Sequence, residues 1–184
     1  PATGLADITA DLRVVPAAGG ARVTGQSVIA MRRLDNGFFA SLAEGLPRIT
    51  ADIELMPDLT LFFRNTRIAA PGISLTASGS RDPAGIVRAT ASGTSRLYGP
   101  VALRLAGPID GPRVDAVLAR PGFGIGLANV QGHVEPAPGG WRFAADGATS
   151  YGPIVGNGLI RTDSGPVSID IANVTLAGIA GQGR

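Results

Sequence analysis

The sequence predicts a mainly β protein: an elongated, curled and antiparallel-rich sheet with an open groove and one short helix. Two observations favour this fold class. Short segments alternate large aliphatic residues with polar ones, and turns rich in Gly, Pro and Asp separate those segments. The 27 Gly and 14 Pro among 184 residues suit many turns between short strands. A hydrophobic share of 45% is enough to order the chain, whereas aromatic residues, at 5%, are fewer than a compact sandwich or barrel uses to fill its interior.

The clearest hairpin covers residues 98–119. Its first strand, residues 101–105, alternates Val and Leu with Ala and Arg, so a side-chain period of two places the large apolar groups on one face. Residues 109–112, Ile-Asp-Gly-Pro, supply turn chemistry, because Asp bonds nearby backbone, Gly takes positive φ and Pro cannot donate to a ladder. The same alternation returns over residues 114–118 and completes the hairpin.

The segments before this hairpin repeat its plan. Strand patterns cover residues 5–15, 22–31, 49–55, 59–63, 73–77 and 87–91. Turn residues separate them at Pro16–Gly20, Asn65, Pro71–Gly72, Asp82–Gly85 and Ser92–Gly93. We therefore expect a succession of short antiparallel strands.

The helix is expected near residues 36–45. Asp35 or Asn36 can cap its amino end, Gly45 can take the left-handed closing position, and Pro47 prevents continuation. A helix of about ten residues is marginal alone in water, so it must pack on the sheet. It could gate an apolar groove or cover a sheet edge. We favour the second role because any open sheet needs edge protection.

Two further features lie beyond the hairpin. The alternation changes phase near Ala128–Asn129, which predicts a β-bulge. The tripeptide Tyr-Gly-Pro occurs at residues 98–100 and again at 151–153, each time before an apolar strand and a Gly-Pro turn, the second turn being Gly165–Pro166. This indicates a degenerate internal repeat of about fifty residues. The chain starts and stops inside strand-like patterns and has no initiator Met, so we expect residues 1–184 to be a single β-repeat segment of a longer protein.

The charged residues exclude several function classes. The formal charge is +2 and the arginines are spread singly, with Arg32–Arg33 the one adjacent pair, so a nucleic-acid partner is not expected. The lack of Cys excludes disulfides, thiolate zinc sites and thiol catalysis.

Two residue pairs are candidates for metal or enzyme chemistry. His133 and Glu135 could offer two metal ligands, but a stable site wants three or four, and a lone His on a strand is more often solvated. Asp52 and Glu54 would stand about 7 Å apart on one strand face, a spacing that glycosidase carboxylates use, although a solvated outer face is the simpler interpretation. A carbohydrate-active β-helix enzyme would need more clustered acids. We therefore expect no enzyme activity, no metal and no cofactor.

The informative feature is the alternation taken as a whole. Two such sheets closed on each other would form a dry sandwich, whereas one curled sheet would line an open trough. A lining of Ala, Val, Ile and Leu with few rings leaves room for a guest. A strand of about seven residues spans roughly 23 Å, the scale of an acyl chain, and each methylene buried there contributes about 0.8 kcal/mol.

Four stretches carry a resemblance to a known family: Leu105-x-Gly107-x-Ile109-Asp110-x-Pro112, Tyr98-Gly99-Pro100-Val101, Leu46 to Asp52, and Ser78 to Asp82. They resemble the translocation and assembly module (TamB) family, part of the AsmA-like superfamily. The resemblance is densest from about Leu34 to Pro121.

The resemblance implies a non-enzymatic periplasmic protein of the cell envelope, anchored in the inner membrane by a segment outside this chain. Its apolar groove would support phospholipid transport between the membranes and assembly of outer-membrane proteins. The implied partners are phospholipid acyl chains and, through regions outside this chain, an outer-membrane barrel protein. Carried over residue by residue, the lipid-groove lining is Ile49, Ile53, Leu55, Leu61, Phe63, Ile73, Leu75, Val101, Leu103, Leu105, Val114 and Leu118, continued by Trp141, Phe143, Ile169 and Ile171. The alternative is a structural or adhesive β-repeat stalk, autotransporter-like, whose interior would be filled and dry.

Overall fold

The computed structural model describes residues 4–35, 40, 42–121, 126–161 and 168–183. They form thirteen strands and belong to two compact units, residues 1–96 and 97–184. The fold is mainly β and antiparallel, as the sequence predicts. Among the described residues, no helix has both the length and the apolar composition needed to cross a bilayer.

Unit 1 is an antiparallel sheet whose strands follow chain order. Its strands are β1 (Gly4–Ala17), β2 (Gly20–Leu34), β3 (Arg48–Leu55), β4 (Leu61–Ala70), β5 (Ile73–Arg81) and β6 (Ile86–Ser95). Among the described strands, β1 pairs with β2 alone.

Unit 2 follows the same plan. Its strands are β7 (Gly99–Pro108), β8 (Arg113–Leu118), β9 (Ala128–Ala137), β10 (Gly140–Thr149), β11 (Gly152–Arg161), β12 (Ser168–Leu176) and β13 (Ile179–Gly183). Among the described strands, β13 pairs only with β12.

The hairpin predicted for residues 98–119 is confirmed as β7–β8. Val101 faces Leu118, Leu103 faces Ala116, and Leu105 faces Val114, so the large apolar groups of both strands share one face. The Gly111 amide donates to the Pro108 carbonyl at 3.1 Å and closes the turn.

Two expected turns lie inside strands instead. Asn65 stands within β4 at φ 48°, beside register shifts against both neighbouring strands, so it forms a bulge. Ser92–Gly93 lies within β6. A Cβ at Gly93 would come within 2.0 Å of the Ser74 carbonyl oxygen, so glycine serves close approach of two strands there. Asn and Gly therefore form bulges and close strand contacts as well as turns.

The short helix is only partly described, because residues 36–39 and 41, including the proposed Asn36 cap, lie outside the described residues. Ala40, Leu42 and Ala43 are helical, and the Glu44 amide donates to the Ala40 carbonyl at 3.0 Å. The left-handed closing position falls on Glu44 (φ 51°), one residue before the expected Gly45.

The carboxyl end of this helix packs on the β4–β5 turn. Ala43 is buried, and its carbonyl accepts the Gly72 amide at 2.7 Å. A Cβ on Gly45 would lie 3.0 Å from Pro71, so the small residue allows the chain to pass this turn closely.

The bulge expected near Ala128–Asn129 is present in β9. Asn129 has φ 52°, and the β9–β10 register shifts between Asp146 and Ala148, opposite this point. The phase change in the sequence therefore marks a real insertion into the ladder.

The repeated Tyr-Gly-Pro tripeptide performs the same task twice. Gly99 and Gly152 have positive φ (68° and 127°) and begin β7 and β11. The following Pro carbonyl accepts an amide from the residue just after a neighbouring strand: Ala119 to Pro100 at 3.0 Å, and Ala177 to Pro153 at 2.8 Å. The expected second turn, Gly165–Pro166, lies outside the described residues.

Candidate functional site: an apolar sheet face in each unit

The strand register of unit 1 gathers the expected lining residues on one face. Ile49 faces Ile68, which faces Leu75. In the next rows Ile53 faces Phe63, and Leu55 faces Leu61. Directly paired residues point to the same side of an antiparallel sheet. We call this side the apolar face of unit 1, with expected members Ile49, Ile53, Leu55, Leu61, Phe63, Ile73 and Leu75.

Unit 2 gathers its expected members in the same way. Val114 bridges Leu105 and Val134, and Val134 faces Phe143. Trp141 faces Ile160, which faces Ile169. The apolar face of unit 2 thus contains Val101, Leu103, Leu105, Val114, Leu118, Trp141, Phe143, Ile169 and Ile171.

Other residues on these faces were missing from the expected lining. Eight of them pair directly with its members or with each other, and the ninth, Val174, pairs with Gly156 on the same face: Val23, Ile29, Ile68, Val130, Val134, Ile154, Ile160, Val174 and Leu176. Each stands at the same two-residue period as its neighbours. The alternation alone could have identified them, provided the bulge in each strand was placed correctly.

Neither apolar face is sealed. Among the described residues no large side chain is fully buried, and the most buried expected members are Leu75 and Val101, at 7% and 8% exposure. Ile169 on β12 is 51% exposed, and Ile8 on β1 is 71% exposed. The faces are therefore half-covered aliphatic surfaces rather than the inside of a filled core.

An aromatic ring lies over a glycine on each face. A Cβ on Gly79 would come within 2.6 Å of the Phe63 ring, and one on Gly158 within 2.8 Å of the Phe143 ring. Each glycine is the direct cross-strand partner of its phenylalanine. The ring fills the space that the missing side chain leaves, which keeps the face smooth where it has little side-chain volume.

The opposite face of unit 1 carries the polar residues and joins them across strands. Glu54 lies between Arg22 and Arg64, at 3.2 Å and 3.1 Å. Asp52 accepts from Gln26 at 3.1 Å and from Asn65 at 2.8 Å. These acids are engaged in lateral contacts, and that arrangement suits a structural role for the pair rather than glycosidase chemistry.

His133 belongs to a similar polar row in unit 2. Its Nδ1 lies 2.6 Å from Asp115, and its Nε2 lies 3.7 Å from Glu135, which also pairs with Arg113 and Arg142. Within the described part of the chain, no group of three or more His, Cys, Asp or Glu side chains could hold a metal ion. This polar row is a series of side-chain contacts between neighbouring strands.

No family model, curated protein or solved structure matches this chain.

Proposed function

We propose that this chain is a non-enzymatic lipid-conduit segment whose apolar faces bind the acyl chains of phospholipids. The observation that carries the proposal is the half-exposed aliphatic face of each unit, in which no large described side chain is fully buried. Contiguous exposed apolar surface on a protein often marks a binding site. The mixture of aliphatic residues and glycine suits a flexible hydrocarbon, which needs a smooth surface and few polar contacts.

The dimensions of the strands support an acyl guest. β7 and β10 each contain ten residues, which corresponds to about 33 Å of extended chain. An acyl chain lying along such a strand can keep its full length on the sheet, in contact with Val101, Leu103 and Leu105 on β7 or with Trp141 and Phe143 on β10. Each methylene removed from water contributes about 0.8 kcal/mol, so partial insertion of one tail already gives useful affinity.

The cellular setting of the proposal rests on the resemblance to the TamB family. In this proposal, the chain is part of a periplasmic protein anchored to the inner membrane. That protein supports phospholipid transport between the membranes and, with a barrel partner, the assembly of outer-membrane proteins. This chain supplies the acyl-binding surface, and the anchor and the partner-binding region belong to other parts of that protein.

Trp141 provides a direct test, because it is the one tryptophan of the chain and lies on the apolar face of unit 2. Phospholipid carrying bromine on its acyl chains quenches a tryptophan that it touches. We expect concentration-dependent quenching of Trp141 by brominated lipid and no change with the same lipid lacking bromine.

The matched control moves the tryptophan to the opposite face of the same strand. A variant with Trp141→Phe and Ala144→Trp places the reporter beside His133 and Asn157, where Ala144 is exposed. Its fluorescence should not respond to brominated lipid. Equal quenching at both positions would indicate non-specific association, and no quenching at Trp141 would favour the stalk alternative over lipid binding.

A further inference from the structure

Thr66 is a buried polar residue on the apolar face of unit 1. It is 7% exposed, and its hydroxyl oxygen, shielded from solvent, has no hydrogen-bond partner among the described residues. Its side chain points to the apolar side, because its direct partner Ala77 stands two residues from Leu75 on β5. A buried hydroxyl without a partner costs free energy, and native proteins keep few of them. The Thr66 hydroxyl is therefore available to a polar group of a guest.

The residues around Thr66 form a furrow in the apolar face. Five strands contribute one row of opposed short side chains, in which both Asn65 and Thr66 stand opposite Ala51 because of the bulge in β4: Ser27, Ala51, Thr66, Ala77 and Ala91. The rows on either side contain larger groups: Ile49, Ile68 and Leu75 in one, and Ile53 and Phe63 in the other. Thr66 thus lies at the floor of a furrow between higher apolar rows. Rotation about χ1 between staggered positions turns its hydroxyl toward a guest in that furrow.

The surroundings of Thr66 select an uncharged guest group. From β2 to β6, neither the row of Thr66 nor the row on either side of it contains a charged residue. A carboxylate or phosphate placed there would lose its hydration without gaining a cation, which is costly. A threonine hydroxyl donates one hydrogen bond, so the best match is a neutral oxygen acceptor attached to a hydrocarbon chain. The ester carbonyl that joins an acyl chain to glycerol is such a group.

We propose that Thr66 is the polar anchor of unit 1, whose hydroxyl donates a hydrogen bond to an ester carbonyl of a bound phospholipid. The inference rests on the proposed function, since the same apolar face holds the acyl chain. The carbonyl lies at one end of that chain, so the hydrogen bond fixes where on the face the chain begins. Unit 1 thereby distinguishes ester-linked from ether-linked lipid, because an ether linkage has no carbonyl.

A choice between two lipids tests the anchor. Diacyl and dialkyl phosphatidylcholines with the same chain lengths and head group differ in the ester carbonyls, and native mass spectrometry separates them by mass. The starting protein is the Leu103→Asp variant, in which a carboxylate on the apolar face of unit 2 leaves unit 1 to carry the lipid. From an equimolar mixture it should bind about three- to tenfold more ester lipid than ether lipid, the range expected for one hydrogen bond.

Two valine substitutions in this starting protein separate the hydroxyl from the shape of the residue. Thr66→Val replaces the hydroxyl with a methyl group and should bind the two lipids equally. Thr90→Val makes the same exchange at an exposed position on the opposite face and should keep the preference for ester lipid. Thr66→Val should also raise the denaturant midpoint of the lipid-free protein, because it removes a buried hydroxyl that has no partner there.

The possible failures are distinguishable. Equal uptake of the two lipids by the starting protein, or an undiminished preference in Thr66→Val, would overturn the anchor and leave lipid binding intact. A lower denaturant midpoint of lipid-free Thr66→Val would also overturn it, since the hydroxyl would then have a partner within the protein. If the starting protein and the parent chain bind neither lipid, the proposed function is wrong and the anchor is wrong with it.

Discussion

Gly158 shows how a single residue shapes the apolar face. Its missing Cβ would lie 2.0 Å from the Asp170 carbonyl oxygen as well as 2.8 Å from the Phe143 ring, so strand β12 and the ring both need this position empty. Gly132, on the same face two strands away, differs. A Cβ there would meet only the Ala145 Cβ, at 4.0 Å. Both glycines lie on the apolar side of their strands, at the same two-residue period, but only Gly158 has no space for a side chain.

Alanine substitutions at these two glycines should therefore have opposite effects. Gly158→Ala should lower the free energy of unfolding by about 1–3 kcal/mol, because backbone and ring must move to admit the methyl group. Gly132→Ala should be neutral or stabilise by up to about 1 kcal/mol, since the alanine has space and the unfolded chain loses freedom. Denaturant unfolding of both variants measures the difference, and equal destabilisation would contradict the steric explanation.

At the scale of one strand, the bulge in β9 is held by a left-handed residue. Asn129 has φ 52°, a conformation that Asn accepts and that β-branched residues resist. The Asn129 amide also donates to the Ala119 carbonyl at 2.9 Å, which ties the bulge to the end of β8. Without this bulge the residues after it would change faces, and Val134 would leave the apolar side.

Substitution at Asn129 tests this description of the bulge. Asn129→Val should lower the free energy of unfolding by about 1–2 kcal/mol, since valine must adopt the left-handed conformation. Asn129→Gly keeps both the conformation and the backbone amide, so its unfolding free energy should stay close to that of the parent. Denaturant unfolding gives the comparison. A tolerated valine together with a damaging glycine would show that the side chain, and not φ, fixes the bulge.

The strands were largely predictable because their signal is local. Alternation over residues 101–105 and 114–118 determines which side chains share a face, and the turn between them sets the register. Asn65 and Gly93 were misassigned, since the same residues serve turns, bulges and close strand contacts. The left-handed residue is Glu44 rather than Gly45, and beside it the Ala43 carbonyl accepts the Gly72 amide, a contact between residues distant in sequence that local patterns do not show.

At the scale of the whole molecule, stability must come mainly from ladders and cross-strand pairs. Only Ala43, Leu75 and Val101 are buried hydrophobic residues among those described, and none of them is a large side chain fully removed from water. The members of the apolar faces could be read from the sequence, but what covers those faces could not, because alternation is the same for a dry interior and for a lipid surface. Because the folded chain alone presents these faces, a ligand bound to them should also raise the free energy of unfolding by mass action.

The division into two compact units makes a quantitative prediction about lipid loading. Each unit has its own apolar face, so a charge placed on one face should remove the lipid of that unit alone. Ile53→Arg in unit 1 and Leu103→Asp in unit 2 should each reduce bound phospholipid by roughly half, and the double variant should bind almost none, because a charge in an apolar contact is costly to desolvate. Native mass spectrometry after gentle purification counts the lipids per chain.

The matched controls add the same charges to the opposite faces, in Thr50→Arg and Ala102→Asp, which point away from the apolar sides. Both should keep the full lipid complement, because the added charge stays in water. If Ile53→Arg alone abolished all binding while the protein remained folded, the faces would act as one site rather than as separate surfaces. If all four variants carried the same lipid load as the parent, the lipid would lie elsewhere on the molecule, and the acyl-binding role of these faces would be wrong.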